Sequence, residues 1–210
     1  IYEIIATGAV ITVPNPFFAK HESVDGVHGP LRYPTGGVKA ASDKRSTYQN
    51  FEKGRIYSVD KRVVEIHEPL FSAHEALKGV RGTYGYPTTD LLKLGDGRGS
   101  SQWFEGGTAW YSSTTGPQFL AGAISDRYLA GGHAEGPLRY PTAATTEVGD
   151  GRGTVATFEG GNIYATAATG AHEVRGTVLA YYLSKGGPTG SLGYPTGELD
   201  PPGTAGGRFQ

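Results

Sequence analysis

Residues 149–170 read GDGRGTVATFEGGNIYATAATG, and this stretch predicts the local fold of the chain. Two short runs rich in β-branched and aromatic residues, 154–158 and 162–165, flank Glu159-Gly160-Gly161. A pair of glycines between two such runs is typical of a β-hairpin, because hairpin turns need residues with positive φ. Thr169-Gly170 then predicts a second turn into another short strand near residues 172–174.

This hairpin belongs to a unit that recurs along the sequence. Tyr-Pro-Thr occurs with its proline at positions 34, 87, 141 and 195, which are 53, 54 and 54 residues apart. We call the four units that these prolines anchor copy one to copy four. Three further features keep a fixed offset from the prolines: a Phe-Glu pair at 51–52, 104–105 and 158–159, an aromatic slot at Tyr57, Trp110 and Tyr164 with Tyr2 as its earliest member, and an Asp-x-Arg motif at Asp43 and Arg45, Asp96 and Arg98, and Asp150 and Arg152.

The remainder of each unit predicts one helix of two to three turns. Leu70, Phe71, His74 and Leu77 recur at helical spacing. Proline suits the first helical position, where Pro16 and Pro69 are expected, and left-handed glycines are expected to cap the helix ends. These glycines are Gly26, Gly79, Gly131-Gly132 and Gly186-Gly187.

The fold class expected is therefore α+β, mostly short antiparallel β. Residues 1–210 form one domain of four tandem repeats of about 54 residues, each a small β-meander with one short helix that packs on its neighbours. The residue before Tyr-Pro alternates between Arg32, Gly85, Arg139 and Gly193, which suggests two environments for successive copies. Two arrangements stay open from the residues alone: a stalk with alternating orientation, and a closed pseudo-fourfold ring.

Composition excludes several classes of protein. Nineteen Lys and Arg against 20 Asp and Glu leave a net charge of -1, without the basic excess of a nucleic-acid binder. The absence of cysteine excludes disulfides, thiol catalysis and Cys-ligated zinc. No apolar run reaches the roughly 18 residues of a membrane helix.

The first residue is Ile1 and no signal-peptide pattern follows it, so we expect a processed protein or an excised piece of a larger one.

The segments Leu192-Gly193-Tyr194-Pro195, Gly149–Thr154 and Phe158–Tyr164, followed by Ala168–Val174, resemble the LGFP repeat, which is named for Leu-Gly-Phe-Pro. The resemblance covers all four copies. Tyr replaces Phe in every copy, Arg replaces Gly in copies one and three, and Thr204 and Gly206 occupy the Asp and Arg slots of copy four.

The LGFP family occurs on actinobacterial cell-envelope proteins, including mycolyltransferases and cell-wall hydrolases. The resemblance implies a non-catalytic module that attaches proteins to the arabinogalactan–peptidoglycan polymer, and it allows for an attached enzyme domain in a parent protein. It also implies small four-stranded units along a stalk, which favours the stalk over the ring. The expected location is secreted, at the cell envelope.

Candidate binding residues follow from chemistry that recognises sugars. Aromatic rings pack on the C–H face of a sugar, and the guanidinium fork of arginine binds carboxylates and hydroxyls. Each candidate has a structural alternative: a repeated aromatic forms the core, and Asp-x-Arg forms a turn whose Arg pairs with Glu at the hairpin. For Arg32 and Arg139 the options are an interface between units, an anion site or a solvated surface residue. The candidate ligand contacts are Trp103, Trp110, Tyr111, Asp96, Arg98, Asp150, Arg152, Arg32, Arg139, Glu105 and Glu159.

No enzyme signature accompanies these residues. The sequence lacks Gly-x-Ser-x-Gly, the Walker A lysine loop and His-Glu-x-x-His. We therefore expect no catalytic residue, no cofactor and no metal. Multivalent binding of cell-wall polysaccharide is the favoured function, because several weak sites on one array add avidity. A free carbohydrate-binding lectin and a protein-docking or spacer array are the alternatives.

Overall fold

The computed structural model describes residues 2–4 and 9–198, with side chains from residue 10 onward. The predicted positions Thr204 and Gly206 lie outside the described residues, and so does the side chain of Tyr2. The chain divides into two compact units, Ile1–Leu94 with Ser100–Gly106, and Gly95–Gly99 with Gly107–Gln210.

The first unit contains one complete four-stranded sheet. It begins with an antiparallel hairpin, β1 (Tyr2–Ile4) and β2 (Ala9–Ile11), and helix α1 (Phe17–Ser23). The sheet follows in the order β3-β4-β5-β6, with every pair antiparallel, and helix α2 comes after it. These elements are β3 (Lys39–Ala40), β4 (Ser46–Phe51), β5 (Gly54–Val59), β6 (Arg62–His67) and α2 (Leu70–Ala76).

The strands of copy two are divided between the units. In the first unit β7 pairs with β8, with Leu92 opposite Ser101, and in the second unit β9 pairs with β10, with Trp110 opposite Gln118. The elements are β7 (Leu92–Lys93), β8 (Gly99–Phe104), β9 (Gly107–Ser112), β10 (Gly116–Ala121) and helix α3 (Gly122–Ala130).

Copy three repeats the complete sheet within the second unit, in the order β11-β12-β13-β14. Phe158 lies opposite Gly161, so the hairpin turn that the sequence predicts is present at Glu159-Gly160. The expected positive φ is not: neither residue of this turn has it. The strand expected near 172–174 is present, and the α+β class of short antiparallel strands with short helices is confirmed. The elements are β11 (Thr146–Glu147), β12 (Gly153–Phe158), β13 (Gly161–Thr166), β14 (Gly170–Arg175) and helix α4 (Gly176–Ser184).

The helix ends differ from the prediction. Pro16 and Pro69 each lie one residue before the first helical residue. After each helix two consecutive residues have positive φ, and in the first unit the earlier of the two is Asp25 or Lys78. The expectation of left-handed glycines is confirmed for Gly26, Gly79, Gly132, Gly186 and Gly187 and is wrong for Gly131, whose φ is -81°. Through each left-handed pair the chain enters a short 3-10 turn.

The core of each unit is built from rings on the helices. His21 of α1 lies 4.6 Å, centroid to centroid, from Phe51. The equivalent distance is 4.9 Å from His74 to Phe104 and 4.7 Å from Tyr128 to Phe158. His21 and His74 are fully buried, which agrees with the helical spacing of His74 with Leu70 and Phe71 in the sequence. Burial lowers the pKa of His74.

Within the described part of the chain, none of the helices has both the length and the apolar character needed to cross a bilayer.

Candidate functional site

The Asp-x-Arg motif forms the same turn in three copies. One carboxylate oxygen of each aspartate accepts the backbone N–H of the arginine two residues later, which orders the turn locally. The distances are 3.0 Å for Asp43 and Arg45, 2.9 Å for Asp96 and Arg98, and 2.9 Å for Asp150 and Arg152.

Each of these turns contacts the following copy. In the first unit the Tyr86 hydroxyl donates to Asp43 Oδ2 at 2.8 Å, and the Arg45 guanidinium lies 5.1 Å from the centroid of the Tyr86 ring. Arg45 also donates to both oxygens of Glu105, at 2.7 and 3.3 Å. We call this combination of Asp-x-Arg turn, tyrosine and glutamate the inter-copy joint.

The second unit contains the same joint. The Tyr140 hydroxyl donates to Asp96 at 2.8 Å, and the Arg98 guanidinium lies 4.9 Å from the Tyr140 ring centroid. Arg98 donates to both oxygens of Glu159, at 2.6 and 3.2 Å. The next turn repeats the contact with tyrosine, since the Tyr194 hydroxyl donates to Asp150 at 2.9 Å and Arg152 lies 5.3 Å from the Tyr194 ring.

The protonation equilibria follow from these contacts. The backbone N–H of Arg98 lowers the pKa of Asp96, with further help from the Tyr140 hydroxyl and the Arg98 charge. Hydrogen bonds from Arg98 and Arg45 lower the pKa of Glu159 and Glu105, respectively. Burial and the hydrogen bond to Asp150 raise the pKa of Tyr194 to about 12. The joint therefore contains ionised carboxylates and neutral tyrosines at pH 7.

This geometry assigns a partner to six of the eleven candidate ligand contacts, namely Asp96, Arg98, Asp150, Arg152, Glu105 and Glu159. Arg45 and Arg98 pair with the glutamate of the following copy, and Arg45 also pairs with Asp60 in the β5–β6 hairpin of its own copy. Arg152 instead pairs with Asp150 in its own turn, as the structural alternative for this motif predicts. Sequence reasoning missed the tyrosine of Tyr-Pro-Thr as the third member. The sequence does contain a pattern that indicates this role: the tyrosine, the Asp-x-Arg motif and the glutamate all recur along the chain with the same spacing.

The aromatic slot lies in the core. Trp110 is 1% exposed, and its indole N–H donates to Thr108 Oγ1 at 2.9 Å. Its ring contacts the Tyr128 ring edge-on at 5.0 Å. The expectation that Trp110 contacts a ligand is therefore corrected, because neither its faces nor its polar atom are available. Tyr57 and Tyr164 are buried in the same way, each with its hydroxyl bonded to the residue two positions earlier, Arg55 and Asn162.

Trp103 and Tyr111 are partly exposed, in contrast to the buried slot. Trp103 lies on β8, and its backbone N–H and C=O bond to Thr89 and Thr88. Tyr111 lies on β9, opposite Pro117. The two rings belong to different units, so each is a separate candidate contact.

Arg32 and Arg139 occupy a backbone position with positive φ, 64° and 56°. The equivalent Gly85 and Gly193 have φ of 64° and 67°. A ring on the preceding helix fixes this position: His21 Nε2 lies 2.9 Å from the Arg32 carbonyl, and the Tyr128 hydroxyl donates to the Arg139 carbonyl at 2.6 Å. Both arginine residues are exposed. Arg139 also contributes to the lowered pKa of Glu159.

Two buried carboxylates were missed from the sequence. Glu65 is 2% exposed and bonds to His67 Nδ1 at 2.7 Å and to the Leu91 N–H at 3.1 Å. Glu173 is 3% exposed and lies 3.0 Å from Arg127 and from Arg175. Burial raises the pKa of Glu173 against both arginines. The signal available was a glutamate at the same position in the third long strand of copies one and three.

Within residues 2–4 and 9–198, no group of three or more His, Asp or Glu residues is arranged to hold a metal ion.

Comparison with known families gives one match. The sequence model of the LGFP repeat matches residues 85–136 and 138–190, which together cover half of the chain. The matched segments contain Pro87 and Pro141 with their Asp-x-Arg and Phe-Glu motifs. No curated protein matches the chain.

Proposed function

Because this chain belongs to the LGFP repeat family, a repeat family of actinobacterial cell-envelope proteins, we propose that it binds a cell-wall polysaccharide without catalysis. In this proposal the chain acts outside the cell and anchors a protein, such as an attached enzyme domain, to the arabinogalactan–peptidoglycan polymer.

The observation that carries the proposal is the exposure of Arg32 and Arg139. Residues other than glycine rarely adopt positive φ. The equivalent residues in copies two and four are Gly85 and Gly193. Residues held in such conformations mark candidate functional positions. An exposed guanidinium offers a planar fork to carboxylates, phosphates and hydroxyls, which are the polar groups of a wall polymer.

Trp103 and Tyr111 complete the proposed contacts. A partly exposed ring supplies apolar area for the C–H face of a sugar at low entropic cost. These residues differ between copies, whereas the joint is repeated. We therefore propose that the variable positions contact the ligand. The repeated Asp-x-Arg motif, tyrosine and glutamate hold successive copies together.

A non-catalytic role agrees with the protonation state of the two glutamates in the joints, Glu105 and Glu159. Glu105 and Glu159 pair with arginines in successive copies, and hydrogen bonds from those arginines lower their pKa values. A general acid needs the opposite shift, towards the working pH. Weak contacts on several copies can instead act together on one polymer, which raises avidity without any tight single site.

The test is retention on insoluble arabinogalactan–peptidoglycan. We expect the double variant Arg32→Gly and Arg139→Gly to lose retention by about tenfold, equivalent to roughly 1.4 kcal/mol, while it stays folded. The matched control is Lys61→Gly with Lys78→Gly, which removes two exposed cations also held at positive φ, 65° and 73°. Equal retention of the two double variants would remove the arginines from the proposal.

The alternative of a protein-docking or spacer array has one observation in its favour: the repeated polar motif joins copies to one another. That function predicts no retention on any glycan and specific capture of a protein partner. A free lectin predicts a glycan-array signal without dependence on the wall. Wild-type protein tested on wall polymer, soluble glycans and envelope proteins separates the three.

A further inference from the structure

A second polar contact joins one copy to the next within each compact unit. It uses four positions of the repeat: one on the helix before the sheet, two on the third long strand, and one shortly after the next Tyr-Pro-Thr. We call each set of four a charged junction. The residues are Lys20, Glu65, His67 and Asp90 in the first unit, and Arg127, Glu173, Arg175 and Glu198 in the second unit.

Hydrogen bonds close the charged junction of the first unit. Lys20 Nζ donates to Asp90 Oδ2 at 2.7 Å, and the Glu65 N–H donates to Asp90 Oδ1 at 3.2 Å. Glu65 is 2% exposed, and its carboxylate accepts the Leu91 N–H at 3.1 Å and lies 2.7 Å from His67 Nδ1. The acid of copy two is therefore the partner of both the helix cation and the strand of copy one.

The second unit repeats this arrangement with arginine as the helix cation. Arg127 donates to both oxygens of Glu198, at 2.9 and 2.7 Å, and lies 3.0 Å from Glu173. Arg175 Nε lies 3.0 Å from the other oxygen of Glu173. His172 Nδ1 lies 3.2 Å from Glu198. The buried carboxylate of copy three thus has two cations beside it, and the acid of copy four pairs with one of them.

The intervening contact has apolar residues at all four positions. Phe119 is the equivalent of Glu65, because each lies opposite the residue that precedes the aromatic slot. Here the Thr145 N–H donates to the Phe119 carbonyl at 3.0 Å, and Thr145 Oγ1 accepts the Ala121 N–H at 3.1 Å. The four positions therefore change together from charged to apolar and back. The apolar set is Ala73, Phe119, Ala121 and Ala144.

A mixed set would be less favourable than either pure set. Removal of one partner from a buried ion pair is strongly destabilising, because a charge stays buried without compensation. Replacement of the whole group by packed apolar residues is often neutral. A mismatched neighbour is thus rejected by the unpaired charge that it leaves behind, which is a common source of specificity between surfaces.

We propose that these four positions form a pairing code that determines which copy can follow which. A copy with the buried glutamate accepts a following copy with an acid shortly after its Tyr-Pro-Thr, and a copy with the buried phenylalanine accepts one with alanine there. Arg32 and Arg139 occur in the copies with the buried glutamates, so the code has the same two-copy period as the residue before Tyr-Pro. This inference concerns the order of copies and does not depend on the glycan.

The test is a mutant cycle in the full chain, read out by thermal unfolding. Asp90→Ala should lower the unfolding midpoint of the wild type by roughly 3–6 °C, because it leaves Lys20 without its acid and the Glu65 N–H without its acceptor. The apolar background copies the intervening contact, with Lys20→Ala, Glu65→Phe and His67→Ala. In that background Asp90→Ala should raise the midpoint, because the aspartate there lies against apolar residues. A loss of the same size in both backgrounds would overturn the proposal.

A conservative cycle keeps the test decisive if the apolar background does not fold. Lys20→Gln and Asp90→Asn each remove one charge at nearly constant size, and each leaves the other charge unpaired. The double variant should therefore lose roughly 2–4 °C less than the two single losses together. The matched control replaces Lys20→Gln by Lys39→Gln, at an exposed lysine on β3, and its losses should add. Additive losses for Lys20 and Asp90 would show that the junction does not discriminate between partners.

Discussion

Arg98 holds Glu159 across 61 residues of sequence, with guanidinium-to-carboxylate hydrogen bonds of 2.6 and 3.2 Å. A bidentate pair of this kind is stronger than a single surface ion pair and fixes geometry as well as charge. Because Asp96 of the same turn accepts the hydroxyl of Tyr140, one turn fastens copy two to copy three at two points.

The first prediction concerns this joint. Arg98→Ala should lower the free energy of unfolding more than removal of an arginine without a glutamate partner, because it removes both hydrogen bonds to Glu159 and the contact with the Tyr140 ring. Arg152→Ala is the matched control: its side chain is 63% exposed, so a loss below about 0.5 kcal/mol is expected. Urea unfolding of both variants measures the difference, and equal losses would contradict a cohesive role for Arg98.

The second prediction separates the two tryptophans. Trp110→Ala should cost about 3–5 kcal/mol, because it removes a buried ring and a bonded indole N–H. Trp103→Ala should cost less, since Trp103 is only partly buried, and it should weaken retention on wall polymer while the protein stays folded. Unfolding curves and retention assays on the same samples check both parts. Loss of retention by a folded Trp110→Ala variant would reverse the assignment.

The third prediction concerns the position before Tyr-Pro. Gly193→Ala should cost about 1–2 kcal/mol, from positive φ alone, because no described atom lies within 4 Å of the added methyl group. Gly85→Ala should cost more, since its Cβ would lie 2.5 Å from the Glu105 carboxylate.

Arg139→Gly should raise the free energy of unfolding by up to about 1 kcal/mol, because glycine relieves the strain of positive φ at this position. The greater backbone freedom that glycine gives the unfolded chain offsets part of this gain. Thermal unfolding of the three variants gives the order, and a destabilised Arg139→Gly would show that the arginine side chain supports the fold.

The fourth prediction is a loss of stability in acid. Asp96, Glu105 and Glu159 have folded pKa values below their ordinary 3.8 and 4.5, so the native state binds fewer protons than the unfolded chain. Their contribution is complete above those ordinary values and is lost as pH falls through the lower folded values. The unfolding midpoint should therefore drop between about pH 5 and 3.

Asp96→Asn provides the check on this assignment, because it removes one of the responsible groups. Its midpoint should fall less steeply with acid than that of the wild type. Glu173 acts in the opposite sense, since burial raises its pKa, so Glu173→Gln should not flatten the profile. An unchanged slope in Asp96→Asn would place the acid sensitivity elsewhere.

Much of the local structure could be predicted from sequence. The hairpin turn at Glu159-Gly160 follows from glycines between β-prone runs, and the helices follow from apolar spacing. Local rules suffice there because neighbouring residues decide the conformation. The left-handed conformation of Asp25 and Lys78, directly before the expected glycines, could not be predicted, because these residues adopt positive φ against their own preference.

The candidate site was predicted less well, and the reason is the repetition itself. An offset that recurs every 54 residues has the same signature whether Asp96 contacts its own copy or the next. Likewise, an aromatic at a fixed offset is equally consistent with a core residue and with a repeated sugar contact. Burial distinguishes these two, and burial depends on which surfaces the copies place against each other.

The sequence by itself determined the repeated unit, its short strands and helix, and the residue types available for contact. Only the tertiary structure decided that the carboxylate of Asp43 accepts the hydroxyl of Tyr86 and that Trp110 is buried. The physical reason is that secondary structure depends on residues a few positions apart. Hydrogen bonds and ion pairs between copies depend instead on distances in space between residues some 40 to 60 positions apart, which periodicity leaves undetermined.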